Sequence, residues 1–127
     1  MKTCLLDTNV LIRFLVGDNR AQQKEAAAWF RQAQQGARRI MVTPLVVAEA
    51  SFVLESFYQK KRGEVAEKLE LFVSQRWLRV PERRALMGMW PWYSRGMHFV
   101  DGFLLSLARL HGMPLLTFDK KLKNKTS

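Results

Sequence analysis

Four short apolar runs divide the chain, at residues 3–6, 40–42, 77–80 and 115–117, and longer stretches with helical spacing fill the intervals between them. Runs this short, closed by polar or proline-containing turns, suit strands covered on both faces rather than helices. Where such strands alternate with helices, each helix serves as the crossover that a parallel pair requires. The pattern predicts a three-layer α/β fold, with a mainly parallel, four- or five-stranded sheet flanked by helices.

The helices are delimited by their ends. A short one over 10–16 takes Thr8 or Asn9 as its N-cap and is broken by Gly17-Asp18-Asn19. The next covers about 20–35, with Ala26, Trp29, Phe30 and Ala33 on one face and Gly36 at its C-terminal end. Thr43-Pro44 is a strong start for a helix reaching about Tyr58, with an apolar stripe of Val46, Val47, Ala50, Val53, Leu54 and Phe57. A fourth, over about 63–74, buries Val65, Leu69, Phe72 and Val73. Gly88 and Pro91 oppose one long helix over 83–94, so a broken helix is expected there. Residues 99–111 form a helix whose core face is Val100, Phe103, Leu104, Leu107 and Ala108, ended by Gly112.

With 127 residues, 48% hydrophobic and 25% charged, the chain reads as a single domain over residues 1–127, and about 120–127 form a short helix or a frayed basic tail. A chain of this size can build a core without disulfides, so the lone Cys4 is expected to be a small buried residue. Asp7, Asn9 and Arg13 interrupt the apolar N-terminal run before it can resemble a signal peptide, and no stretch is long enough to span a membrane. The expected location is cytoplasmic. A net charge of +10 calls for an anionic partner, of which nucleic acid is the usual one. The excess is concentrated in Arg38-Arg39, Lys60-Lys61-Arg62, Arg83-Arg84 and the tail lysines Lys120, Lys121, Lys123 and Lys125.

Of eleven acids, four fall at the edges of expected elements: Asp7 after the first run, Glu49 in the helix after the second, Asp101 at a helix start, and Asp119 after the last run. An open parallel sheet binds its ligands beyond the carboxyl ends of its strands. If the first and last strands are neighbours, all four carboxylates face one cleft. Like charges gathered there need a cation, and oxygen donors without paired histidine or cysteine suit Mg²⁺, with Mn²⁺ as a substitute, better than Zn²⁺. Such a cation acidifies a water that can attack a phosphodiester and stabilises the charge that develops, without a nucleophilic side chain.

The segments Leu5-Leu6-Asp7-Thr8-Asn9-Val10-Leu11, the helical Glu49, Phe99-Val100-Asp101-Gly102-Phe103 and Leu116-Thr117-Phe118-Asp119 resemble the PIN domain (PilT N-terminus), and within it the VapC-type toxins. The resemblance covers almost the whole chain in order and spacing. It implies a Mg²⁺- or Mn²⁺-dependent endoribonuclease, the toxin of a type II toxin–antitoxin system, usually a homodimer held inactive by a cognate antitoxin. DNA would be reached only indirectly, through that antitoxin. On the same match Asp7, Glu49, Asp101 and Asp119 are the catalytic and metal-binding quartet, with Thr8 and Asn9 orienting Asp7. Lys120, Lys121 and Lys123 are expected to bind RNA.

Two features depart from the family pattern. Only eight residues, 120–127, follow the last acidic turn where a fifth strand is common, and Gly102 stands where a better helix former is usual. Each acid also has a structural alternative: a cap for Asp7, a helix-dipole partner for Asp101, a lysine partner for Glu49, a turn for Asp119. His98 is read as a loop residue near Asp101 and His111 as a dipole partner. Core or dimer-interface packing is preferred to base stacking for Trp90, Trp92 and Tyr93. The alternative function is a catalytically idle PIN-fold RNA-binding or scaffold protein.

Overall fold

The computed structural model describes residues 1–126, so Ser127, the last residue of the expected tail, lies outside the described residues. Strand β1 (Thr3–Leu5) leads through Asp7, in extended backbone at the N-cap position, into α1 (Thr8–Val16). Gly17 takes a left-handed φ of 76° and ends that helix. Asn19 caps α2 (Arg20–Gln34), its side chain accepting from the Gln22 N–H at 3.0 Å. Strand β2 (Arg39–Met41) follows, and Thr43 then caps α3 (Pro44–Ser56) with proline at the first helical position. Helices α4 (Arg62–Val73), α5 (Arg83–Ser94), α6 (Phe99–His111) and α7 (Lys120–Thr126) complete the chain.

Strands β1 and β2 pair in parallel, Thr3 opposite Arg39 and Leu5 opposite Met41, with α1 and α2 as the crossover. This is an α/β architecture with a small parallel sheet, smaller than the four or five strands expected. At 77–80 the expected strand shrinks to one parallel bridge, where the Arg79 N–H donates to Ile40 and the Arg79 carbonyl accepts from Val42, both at 2.9 Å. Leu78 is taken up by a turn from Gln75, and Pro81 has no N–H to extend the ladder.

The expected strand at 115–117 does not form, although its composition is right. The Arg109 guanidinium grips the Lys125 carbonyl at 3.0 and 2.7 Å, so α7 folds back on α6 and holds the intervening segment away from the sheet. Leu116 and Phe118 are 95% and 102% exposed, and the outer edge of β1 carries no ladder partner among the described residues.

Two helices also differ from expectation. Residues 83–94 form one continuous helix rather than a broken one, with Pro91 inside it. The proline ring lies on the exposed side, while Ala85, Leu86, Met89, Trp90 and Tyr93 are buried, and that burial offsets the roughly 3 kcal/mol a helix-interior proline costs. Helix α6 has the expected bounds but its inward face is shifted. Ala108 is buried and Phe103 packs on the core as expected, but Phe99, Gly102, Leu105 and Ser106 are buried as well, while Val100 and Leu104 are exposed.

Aromatic contacts join the elements. Phe14, Phe30, Phe72 and Trp77 bring α1, α2 and α4 together, with ring centroids 4.8 Å apart for Phe14 and Phe30 and 5.4 Å for Phe30 and Phe72. Trp90, Tyr93 and Phe99 do the same for α5 and α6, with centroids 5.8 to 6.2 Å apart. Part of the basic excess is structural, since Arg83 donates to the carbonyls of Val73, Gln75 and Leu78 and so closes the end of α4. Among the described residues no helix is long and apolar enough to cross a membrane.

Candidate active site

Asp7 stands where β1 hands over to α1. Its backbone carbonyl accepts from Val10 and Leu11, but its carboxylate makes no capping bond and is exposed beside a 260 Å³ depression that includes Leu5, Val10 and Trp29. Thr8 is buried and Asn9 exposed, and neither side chain bonds to that carboxylate among the described residues. The cap alternative for Asp7 therefore holds for its backbone position only.

Glu49 lies one turn into α3, exposed and without an ion pair among the described residues, on the rim of a 650 Å³ cleft between α3 and the start of α6. The floor of that cleft is a polar network absent from the sequence reading. Arg62 donates to Glu55 at 3.0 Å and to the carbonyls of Tyr93 and Met97 at 3.0 and 2.6 Å, while the Tyr93 hydroxyl donates to Glu55 at 2.6 Å. The guanidinium also lies 4.6 Å from the Tyr93 ring centre. Burial, and then the bond to Glu55, push the Tyr93 hydroxyl well above its ordinary pKa. By tying α3, α4 and α5 to Met97, the network fixes the turn that delivers His98 and α6.

His98 is more than the loop residue expected. It is the N-cap of α6, its Nδ1 accepting from the Val100 N–H at 3.3 Å, so a neutral ring carries its proton on Nε2. The histidine borders both the Glu49 cleft and a second one of 440 Å³ that contains Asp101 and Asp119. Asp101 projects from the first turn of α6, half-buried, with no partner among the described residues. Asp119 uses Oδ1 to cap α7, accepting from Lys121 at 2.9 Å and Leu122 at 3.3 Å. Asp119 thus has a structural role, as a helix cap rather than in the expected turn, while Oδ2 takes no part in the cap.

The structure thus brings Asp101 and Asp119 into one cleft, puts Glu49 in the adjoining one across His98, and leaves Asp7 on a separate depression. Among the described residues no three histidine, cysteine or acidic side chains are placed to share one ion. The donors still fit Mg²⁺ in kind, because this ion is commonly held by one or two carboxylates and completes its shell with water and substrate phosphate. Asp101 and Asp119 are the pair that would hold it.

Trp92, Arg95, Lys121 and Lys125 line the same cleft. Trp90, Trp92 and Tyr93 are neighbours in sequence, but helical phase separates them. Trp90 and Tyr93 are buried and Trp92 is only half-buried at the cleft. The signal was present in the spacing along α5, since residues two apart on a helix point in different directions.

Acidic side chains without an ion pair among the described residues, at helix starts of an α/β domain and beside Lys121 and Lys125, are donors of the kind that metal-dependent phosphodiester chemistry uses. The chain belongs to the PIN domain family, whose model matches residues 4–126. PIN domains are typically metal-dependent nucleases, hydrolases that generally use divalent metals such as Mg²⁺. No match is found among curated proteins or among solved structures.

Proposed function

We propose that this protein is a Mg²⁺- or Mn²⁺-dependent endoribonuclease and the toxin of a type II toxin–antitoxin pair of the VapC type. The observation that supports it best is the cleft that Asp101 and Asp119, from separate elements, share with Arg95, Lys121 and Lys125 with no ion pair between them among the described residues. When bound there, the divalent cation would supply charge neutralisation and acidify an attacking water. Asp101 and the uncommitted oxygen of Asp119 would hold it. Arg95, Lys121 and Lys125 would draw the phosphate backbone into the cleft, and the Arg62 network would keep α6 in place beneath it. Glu49 and Asp7 complete the proposed quartet, and Lys120 and Lys123 extend the RNA-binding tail. A homodimer and an antitoxin that masks the cleft belong to the same proposal, because an unrestrained ribonuclease would damage its own cell.

The experiment is cleavage of total RNA by the purified chain with Mg²⁺, with EDTA, and with Asp101→Asn and Asp7→Asn variants. Cleavage that needs the metal and falls by orders of magnitude in either variant is the expected result. Full activity in EDTA, or in Asp101→Asn, rules the mechanism out. A second reading, an idle PIN-fold RNA-binding protein, is favoured by the separation of Asp7 from the Asp101 cleft. It predicts RNA affinity without cleavage under any metal. Growth arrest on inducing the chain alone, relieved by the protein encoded beside it, tests the toxin role.

A further inference from the structure

We propose that Trp92 is a base-stacking, specificity-determining residue of the cleft of Asp101 and Asp119, on which an unpaired base of the substrate strand rests while Arg95, Lys121 and Lys125 take the flanking phosphates. The inference deepens the nuclease reading by naming the base contact, and rests on it only for the choice of RNA.

Trp92 offers the largest aromatic surface on this cleft among the described residues, where His98 is tied up as the cap of α6, and its setting is that of a fixed platform. The indole packs in part against the core, and the Arg109 guanidinium lies over the ring, 5.1 Å from its centre, so that a base would stack on the face opposite Arg109. Arg109 is itself anchored by two bonds to the Lys125 carbonyl. The ring is therefore held in place at the opening without being withdrawn from it. A preset aromatic surface loses little conformational entropy when a base stacks on it, and every base offers a suitable face once it is unstacked from its neighbours.

The charges select the rest of the ligand. Arg95, Lys121 and Lys125 form no ion pair with Asp101 or Asp119 among the described residues, although all five line one space. Three cations beside two acids leave a net positive wall, and a volume of 440 Å³ exceeds what one phosphate fills. A chain that alternates phosphates with planar bases satisfies both the cations and the indole. An acidic peptide satisfies the cations alone, and a duplex keeps its bases stacked away from Trp92.

The test measures anisotropy of a fluorescein-labelled single-stranded oligoribonucleotide in EDTA, so that nothing is cleaved, with the full chain and Trp92→Leu, Trp92→Phe, Arg95→Glu and Arg31→Glu variants. Heparin, a polyanion without bases, is the second ligand. Trp92→Leu should weaken RNA binding about tenfold while leaving heparin binding unchanged, and Trp92→Phe should recover most of the loss. Arg95→Glu should weaken both ligands more than Arg31→Glu, a matched charge reversal on exposed α2 away from the cleft. Unchanged RNA affinity in Trp92→Leu overturns the proposal, as does an equal loss for heparin, which would mark a structural role. Stronger competition by a duplex or by an acidic peptide than by the single strand overturns it too. Binding that follows Trp92 without cleavage in Mg²⁺ would defeat the nuclease reading and leave this site standing, whereas cleavage indifferent to Trp92 would do the reverse.

Discussion

Two glycines at the α5–α6 contact should respond in opposite directions to the same substitution. Gly102 follows Asp101 inside α6, and a Cβ added there would meet Met89 at 3.5 and 3.8 Å and the Met97 sulfur at 3.8 Å, all ordinary contacts. Gly102→Ala should therefore realise the helix-propensity gain of about 0.5–1 kcal/mol. Gly88, in α5, is different, because its Cβ would lie 2.9 Å from the Ser106 hydroxyl. That hydroxyl is buried and donates to the Ala85 carbonyl at 2.6 Å, so it can yield only by weakening or losing its bond. Displacing a buried hydroxyl from its partner costs roughly 1–3 kcal/mol, more than the propensity gain, so Gly88→Ala should destabilise by about 1 kcal/mol. In a Ser106→Ala background the obstacle is gone and the same change should stabilise by about 0.5–1 kcal/mol. Urea unfolding followed by far-ultraviolet circular dichroism reads all four variants, and thermal melts should move by about 3–5 °C per kcal/mol at this size. If Gly88→Ala alone stabilises as much as Gly102→Ala, or if its effect is the same with and without the Ser106 hydroxyl, the close approach of α5 and α6 is refuted.

Both tyrosines donate to a carboxylate, Tyr58 to Asp18 at 2.7 Å and Tyr93 to Glu55 at 2.6 Å, and both hydroxyls are held above their ordinary pKa. An unfolded tyrosine ionises near pH 10, so the folded chain keeps protons that the unfolded one has released. Stability should be full below about pH 10 and fall as pH rises through the folded values, with the tyrosinate absorbance band rising at higher pH in the folded protein than in the urea-unfolded chain; two tyrosinates at pH 10 in the folded protein would contradict this. Arg62→Met should cost about 2 kcal/mol, because it strips Glu55 and the carbonyls of Tyr93 and Met97 of their donor, discounted for partial exposure of the pair. A loss below about 0.5 kcal/mol in urea unfolding would mean that water replaces the guanidinium without effect.

What could be read from sequence was what neighbouring residues encode. Thr43-Pro44 started a helix, Gly17 and Gly112 ended two, and α6 spans 99–111 as expected because its apolar spacing, its dipole charges and its terminator are all local in the chain. The Leu115–Thr117 strand was not readable in this way. Its residues favour extension, but pairing depends on where α7 packs, and that is set by Arg109 reaching the Lys125 carbonyl sixteen residues on. The face of α6 is only partly legible for a related reason, since the helix is apolar on two sides and the close approach of Gly88 to Ser106, a contact between two helices, marks the side that meets α5. At the site, the acids could be picked out because acids at element edges are few. Their grouping could not, because it depends on distances between separate elements; the capping by His98 and Asp119 is local, but nothing in the neighbouring residues separates a cap from a ligand there.

The open edge of β1 and the uncovered 115–118 segment also govern how the molecule behaves in bulk. Each is a short apolar stretch with strand composition, and unpaired backbone of that kind is a template for joining one molecule to another. The net charge of +10 is what keeps molecules apart. Its reach shrinks from about 10 Å at 0.1 M salt to about 3 Å at 1 M. The brine that would strip nucleic acid from so basic a protein therefore also removes the repulsion that keeps it in solution, and nucleic acid-free preparations should be the ones that cloud.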